Sequence, residues 1–279
     1  MTDAIEVLKF TSCMAANADS TCAALVEYIS RRLSIPVLFI NDVDWQDRER
    51  LFDAGEIQVC WICGLPYIRK ADQPHSTIEL LAAPVMQGDR YQNRPVYFSD
   101  VVVRQDSPFH NFTDLRGAVW AYNEPRSHSG FYVACADLAE RGETLNYFGQ
   151  VIQSGAHQTS LQWLLAGKVD VTTIDSTVLE TEMRRDPQLQ SKIRVIATLG
   201  PSPMPPWLIS TAVPPSLRQQ LRSLLLNLHE DPQGQQILSA ARMARFAAVS
   251  DRDYQPIREM AQRAATVIPP QPPNSIHAD

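Results

Sequence analysis

The sequence predicts an α/β protein of two lobes, a clamshell whose chain crosses twice between them. Three observations predict it. Residues 5–62 alternate β-rich and amphipathic segments in the order βαβαβ. A second alternating run begins at residue 96 and ends near 199. The helical segments after residue 214 have no strands of their own, so they are expected to return to the first unit.

Each element follows from local pattern. Residues 5–11 alternate as a strand, and 12–19 are a small polar loop. Residues 20–33 place Cys22, Leu25, Val26, Ile29 and Leu33 on one helical face after a Ser/Thr start. Residues 35–40 read as a second strand, 44–54 as a polar helix stopped by Gly55, and 57–62 as a third strand. Strands joined by helices imply a parallel sheet. In the second run, 96–104 is a strand ended by Asp106-Ser107-Pro108. A helical turn at 112–117 precedes strands at 118–122, 147–151, 169–174 and 193–199, with helices at 130–141, 159–165 and 176–183 between them. The proline-rich stretch 201–206 punctuates the chain before a short strand at 207–210 and helices at 214–228, 232–241 and 253–265. Residues 1–105 plus 207–265 therefore form the first lobe and 106–206 the second, with hinges near 104–112 and 200–207. The proline-rich tail, 266–279, is expected to be poorly ordered.

The net charge of −6 and pI near 5.5 speak against nucleic acid, which wants a basic face. They leave room for a small anion held at a local site. No apolar run is long enough to cross a bilayer. The N-terminus shows neither a basic n-region nor an apolar h-region, so the expected location is the cytoplasm, or the periplasm if a leader has been removed. The five cysteines have loose spacing and make no disulfide framework. Cys60 and Cys63 have C-x-x-C spacing but apolar flanks, and no second pair completes a zinc site. They are expected to be structural and free of metal.

Three segments carry candidate chemistry. Asn123-Glu124-Pro125-Arg126-Ser127-His128-Ser129-Gly130 joins a strand to a helix. A helix start offers unpaired N–H groups and partial positive charge, and two hydroxyls with a close-approach glycine suit an oxyanion. Ser-Gly capping alone would give the same letters. Ser154-Gly155-Ala156-His157 opens a second helix, with His157 at its entrance. Asp175 follows an apolar strand, either as a ligand contact or as the N-cap of the next helix.

These segments appear in order with Asp114-Leu115-Arg116-Gly117, Gly167-Lys168-Val169-Asp170 and Asp231-Pro232-Gln233-Gly234. The set resembles the phosphonate, phosphite and phosphate substrate-binding proteins of ABC importers, over residues 5–260. That resemblance implies the type II periplasmic-binding fold and a solute-binding protein for a small phosphorus oxyanion, held in an interlobe cleft. It implies that Ser127, the His128 backbone N–H, Ser129 and His157 hold the oxyanion. Asp175 would accept from a protonated ligand oxygen or meet a ligand amine. Tyr67 and Tyr97 would close the cleft, although core packing accounts for them equally well. The implied partners are the small anion and an ABC-importer permease. The protein would be a monomer with no nucleic-acid partner and no cofactor. Arg126 and His128 stand where the family usually has Ser or Thr, and Cys60-Trp61 where small or acidic residues are usual. Two alternatives stay open: a cytoplasmic ligand sensor, and an enzyme on the same fold. Against the enzyme, the chain has no G-x-G-x-x-G, P-loop or H-E-x-x-H motif, and no catalytic residue is assigned.

Overall fold

Strands and helices alternate from the start of the described residues, which in this computed structural model are 6–33 and 35–269. Strand β1 (Leu8–Ser12) leads to helix α1 (Asp19–Ser30), which buries Cys22, Leu25, Val26 and Ile29. Strand β2 (Val37–Ile40), helix α2 (Trp45–Asp53) and strand β3 (Val59–Trp61) complete the βαβαβ run. β1 pairs parallel with both β2 and β3, as the helical crossovers require. Helix α3 (Gly64–Ala71) and strand β4 (Ile78–Met86) follow. Neither was expected from the sequence.

The second run comprises strand β5 (Val96–Arg104), strand β6 (Val119–Tyr122) and a π-helical turn (His128–Tyr132) opening helix α4 (Val133–Glu140). It continues through strand β7 (Gln150–Gln153), helix α5 (His157–Leu165), strand β8 (Val171–Asp175) and helix α6 (Ser176–Arg185). A short helix α7 (Leu189–Lys192) precedes strand β9 (Ile193–Pro203). The chain ends with strand β10 (Trp207–Ser210), helices α8 (Pro215–Leu226) and α9 (Pro232–Ala240), strand β11 (Met243–Ala247) and helix α10 (Gln255–Ala265).

Two sheets result, of order β11-β4-β10-β3-β1-β2 and β7-β6-β8-β5-β9. The chain divides into a first unit (residues 1–98, 176–184 and 201–257) and a second (99–175, 185–200 and 258–279). These limits differ from those read in the sequence. β5 pairs antiparallel with β8 from Ser99↔Asp175 to Val103↔Val171, so the break falls at Phe98/Ser99, ahead of residue 104. Residues 176–184 belong to the first unit: Ser176 Oγ accepts from the Phe98 N–H, and Tyr91 Oη donates to Glu180 at 2.8 Å. α10 passes to the second unit at Arg258, where Ala264 enters that unit's apolar core. The helices after residue 214 do not lack a strand, since β11 pairs with β4 in the first sheet. Of the expected loose tail, Val267 and Ile268 pack on the second core. Residues 270–279 lie outside the described residues.

Each unit has its own core. In the first, Trp61 stacks on Trp207 with ring centroids 5.6 Å apart, and Arg48 donates to the carbonyls of Ser12, Asn41 and Val43. One side chain of α2 thereby ties down the ends of β1 and β2. In the second, the Trp120 ring lies 5.7 Å from Phe131 and 4.9 Å from Phe148. That aromatic wall backs the π-helical turn.

Candidate functional site in the second unit

β6 runs parallel to both β7 and β8, so their carboxyl ends share one edge of the sheet. Ligands of open α/β sheets bind outside such ends. Loops leave this edge after β6 and β7, while β8 runs from Asp175 straight into α6, and these are the three segments singled out by sequence.

The loop after β6 turns at Ser127, whose Oγ accepts from the Gly130 N–H at 3.0 Å as a helix N-cap. Gly130 lets Asn123 approach closely, since a Cβ there would lie 1.8 Å from Asn123 Oδ1 and the amide would have to move. The turn is braced from behind. Ser99 Oγ donates to the Ser129 carbonyl, and Thr173 Oγ1 donates to the Gly130 carbonyl at 2.6 Å. Trp120 Nε1 donates in turn to Thr173 Oγ1. The sequence-based expectation missed Ser99 and Thr173. Both are hydroxyls buried within strands, and a buried polar residue is the informative one.

The loop after β7 is shaped by Ser154 and Gly155. The Ser154 and Gly155 N–H groups donate to the Tyr122 and Asn123 carbonyls, and Ser154 Oγ lies 2.6 Å from Ser160 Oγ. Gly155 has φ +88, a conformation that disfavours a side chain. The Ser-Gly pair therefore builds the turn and delivers His157 as the first residue of α5. No side chain of Ala156 caps α5.

These two turns meet. Ser129 Oγ and His157 Nε2 are 3.5 Å apart, with Ser129 4% and His157 7% exposed. Burial pushes the His157 pKa down to about 4, opposed by a hydrogen bond to the Thr173 backbone. The imidazole is thus neutral at neutral pH and offers a hydrogen bond without a charge. His128 is fully buried and its pKa falls to about 3 for the same reason. Asp175 ends β8, buried, opposite Ser99. Arg126 is exposed.

Ser127, His128, Ser129, His157 and Asp175 all lie in the second unit, and Ser129 and His157 are the pair set side by side. Tyr67 and Tyr97 belong to the other. Tyr67 Oη donates to Asp251 Oδ1 at 2.8 Å, and its ring meets Tyr254 edge-on at 4.6 Å. Tyr97 lies within the first unit's apolar core. Among the described residues no group of three or more His, Cys, Asp or Glu side chains could hold a metal ion.

Residues 14–254 match the family described as "ABC transporter, phosphonate, periplasmic substrate-binding protein". The chain belongs to that family. It is one of binding proteins rather than enzymes, in line with the sequence reading. A curated relative, the phosphonates-binding periplasmic protein of Escherichia coli (strain K12), is 23% identical over 212 residues, 74% of this chain. The matched part spans 61% of that relative's length. Among solved structures, a binding protein component of an ABC phosphonate transporter from Pseudomonas aeruginosa superposes with a TM-score of 0.79 at 17% identity, covering 93% of this chain and 87% of the other. PhnD1 from Prochlorococcus marinus, solved with methylphosphonate, gives 0.77 at 18% identity, covering 94% and 99%. These likenesses establish for this family member the two-lobed periplasmic-binding fold read from its sequence.

Proposed function

We propose that the protein captures a small phosphorus oxyanion, a phosphonate in the first place, with Ser127, the His128 N–H, Ser129, His157 and Asp175, and hands it to an ABC-importer permease in the periplasm. The observation that carries this reading is the 3.5 Å approach of Ser129 Oγ to His157 Nε2 across two loop-to-helix turns. A tetrahedral oxyanion needs several donors converging from different directions. Hydroxyls, leading helix N–H groups and one neutral imidazole supply them without a buried cation. If the Asp175 carboxylate at the end of β8 reaches the anion as a charged group, it favours a ligand that carries a proton or an amine, because a bare dianion would meet a like charge. Tyr67 and Tyr97 stay outside the proposed set, since the first hydroxyl is engaged by Asp251 and the second ring sits in the apolar core.

Titration calorimetry with methylphosphonate, phosphite, phosphate and sulfate tests the reading. The expected result is saturable one-site binding of methylphosphonate, with sulfate weakest because it carries no proton for Asp175 at neutral pH. Heat from none of the phosphorus anions, or a preference for sulfate, overturns it.

A further inference from the structure

The thiol of Cys60 has a neighbour outside the C-x-x-C spacing. Cys60 lies in β3 with its Sγ 3.6 Å from that of Cys13, which follows β1. The register explains the meeting. Thr11 pairs with Cys60 across the parallel strands, and Cys13, two residues on, returns to the same face of the sheet. Cys63 instead sits at the N-cap of α3, beyond the strand. Cys13 is partly exposed, whereas Cys60 is fully buried.

We propose that Cys13 and Cys60 form a reversible disulfide that staples the carboxyl ends of β1 and β3. A disulfide bond is about 2.05 Å long, so the sulfurs must approach by roughly 1.5 Å. A periplasmic setting favours the oxidised form. The exposed thiol reacts first. The Cys13 thiolate attacks a low-molecular-weight disulfide, forming a mixed disulfide and releasing one thiolate. Cys60 then loses its proton and attacks the Cys13 sulfur, releasing the second. The two cysteines together lose two electrons and two protons, and the reagent gains both as two thiols. Burial raises the Cys60 pKa well above the ordinary thiol value, so the second step is the slow one. This chemistry involves none of the second unit's ligand residues and stands independently of the proposed oxyanion.

The full chain is incubated with oxidised glutathione, alkylated under denaturing conditions and mapped by mass spectrometry without reduction. The expected result is loss of two of the five thiols and a linked peptide pair containing Cys13 and Cys60. The melting temperature should rise by a few degrees and fall back on adding dithiothreitol, because the link closes a long loop. Cys13→Ser should abolish the link, while Cys63→Ser should leave it intact. Five thiols persisting at equilibrium with the oxidant, or a link joining Cys60 to Cys63, overturns the proposal. Both results are read from the parent chain, so a poorly folding variant does not obscure them.

Discussion

The two units share a design and differ in what they do with it. Each builds part of its sheet from parallel strands whose carboxyl ends lie together. In the first unit those ends are closed by the unit's own side chains. Cys13 meets Cys60, Trp61 stacks on Trp207, Arg48 holds the Ser12 and Asn41 carbonyls, and Tyr67 is engaged by Asp251. In the second unit the hydroxyls of Ser99 and Thr173 brace the turn from behind, while Ser129 and His157 approach each other at its front. The same strand ends thus serve stability in one unit and present donors in the other. If the proposed site holds, a binding edge is marked less by polar residues as such than by polar residues whose supports come from elsewhere.

The largest effect expected from breaking this contrast lies in the wall behind the cradle. Phe131 packs on Trp120 and Tyr122, 5.7 and 4.4 Å between centroids, and follows Gly130 directly. Phe131→Ala should cost about 3–5 kcal/mol of stability, because it removes a buried ring and leaves a cavity. Chemical denaturation measures it. A cost below about 1 kcal/mol would mean that the turn does not depend on its wall.

Acid is the next perturbation. His128 and His157 are held neutral, with pKa values near 3 and 4 against an ordinary 6.5. The unfolded chain binds more protons than the folded one between those values, so stability is full above about pH 6.5 and falls as the pH drops toward 4. The loss should reach a few kcal/mol in order of magnitude. Melting temperature measured from pH 7.5 to 5 should decline, and His157→Gln should flatten the decline. An unchanged slope in that variant would place the titrating group elsewhere.

Binding comes third. A hydrogen bond to a charged ligand contributes about 1.5–3 kcal/mol. His157→Ala and Ser129→Ala should therefore each weaken methylphosphonate binding by roughly 10-fold to 150-fold in titration calorimetry. Ser127→Ala should lose affinity and also about 1 kcal/mol of stability, because its hydroxyl caps the turn. Parent-like affinity in all three variants would place the anion elsewhere.

Much of this contrast was legible in the sequence. β10 was read at its observed ends, the parallel β1–β3 run was read from alternation, and the loop-to-helix turns were read from Ser, Gly and His. β4 was missed because Pro84 interrupts its apolar run, and proline is rare inside sheets. The pairing shows why it is tolerated: β10 pairs with β4 only as far as Ala82, so Pro84 has a neighbour on the β11 side alone. β11 was missed because five residues between two helices carry no strand period strong enough to compete. The bracing by Ser99 and Thr173 joins residues 30 and 43 positions apart, and a local pattern cannot reveal such partners.

The smallest expected effect sharpens the contrast from the first unit's side. Tyr67 was read from sequence as a ligand-facing aromatic, yet its hydroxyl donates to Asp251 and its ring meets Tyr254, whose own hydroxyl donates to the Met204 carbonyl at 3.0 Å. Tyr67→Phe keeps the ring and the edge-on contact and deletes one hydrogen bond. The expected cost is about 1 kcal/mol in chemical denaturation, at the charged-acceptor end if Asp251 loses its best donor. The methylphosphonate dissociation constant should stay within about twofold of the parent, since a uniform loss of native stability leaves affinity unchanged while the protein remains folded. A tenfold weaker dissociation constant with unchanged stability would reverse the assignment. Tyr67 would then count with Ser129 and His157 as a donor to the anion, and the first unit's strand ends would be a binding edge as well.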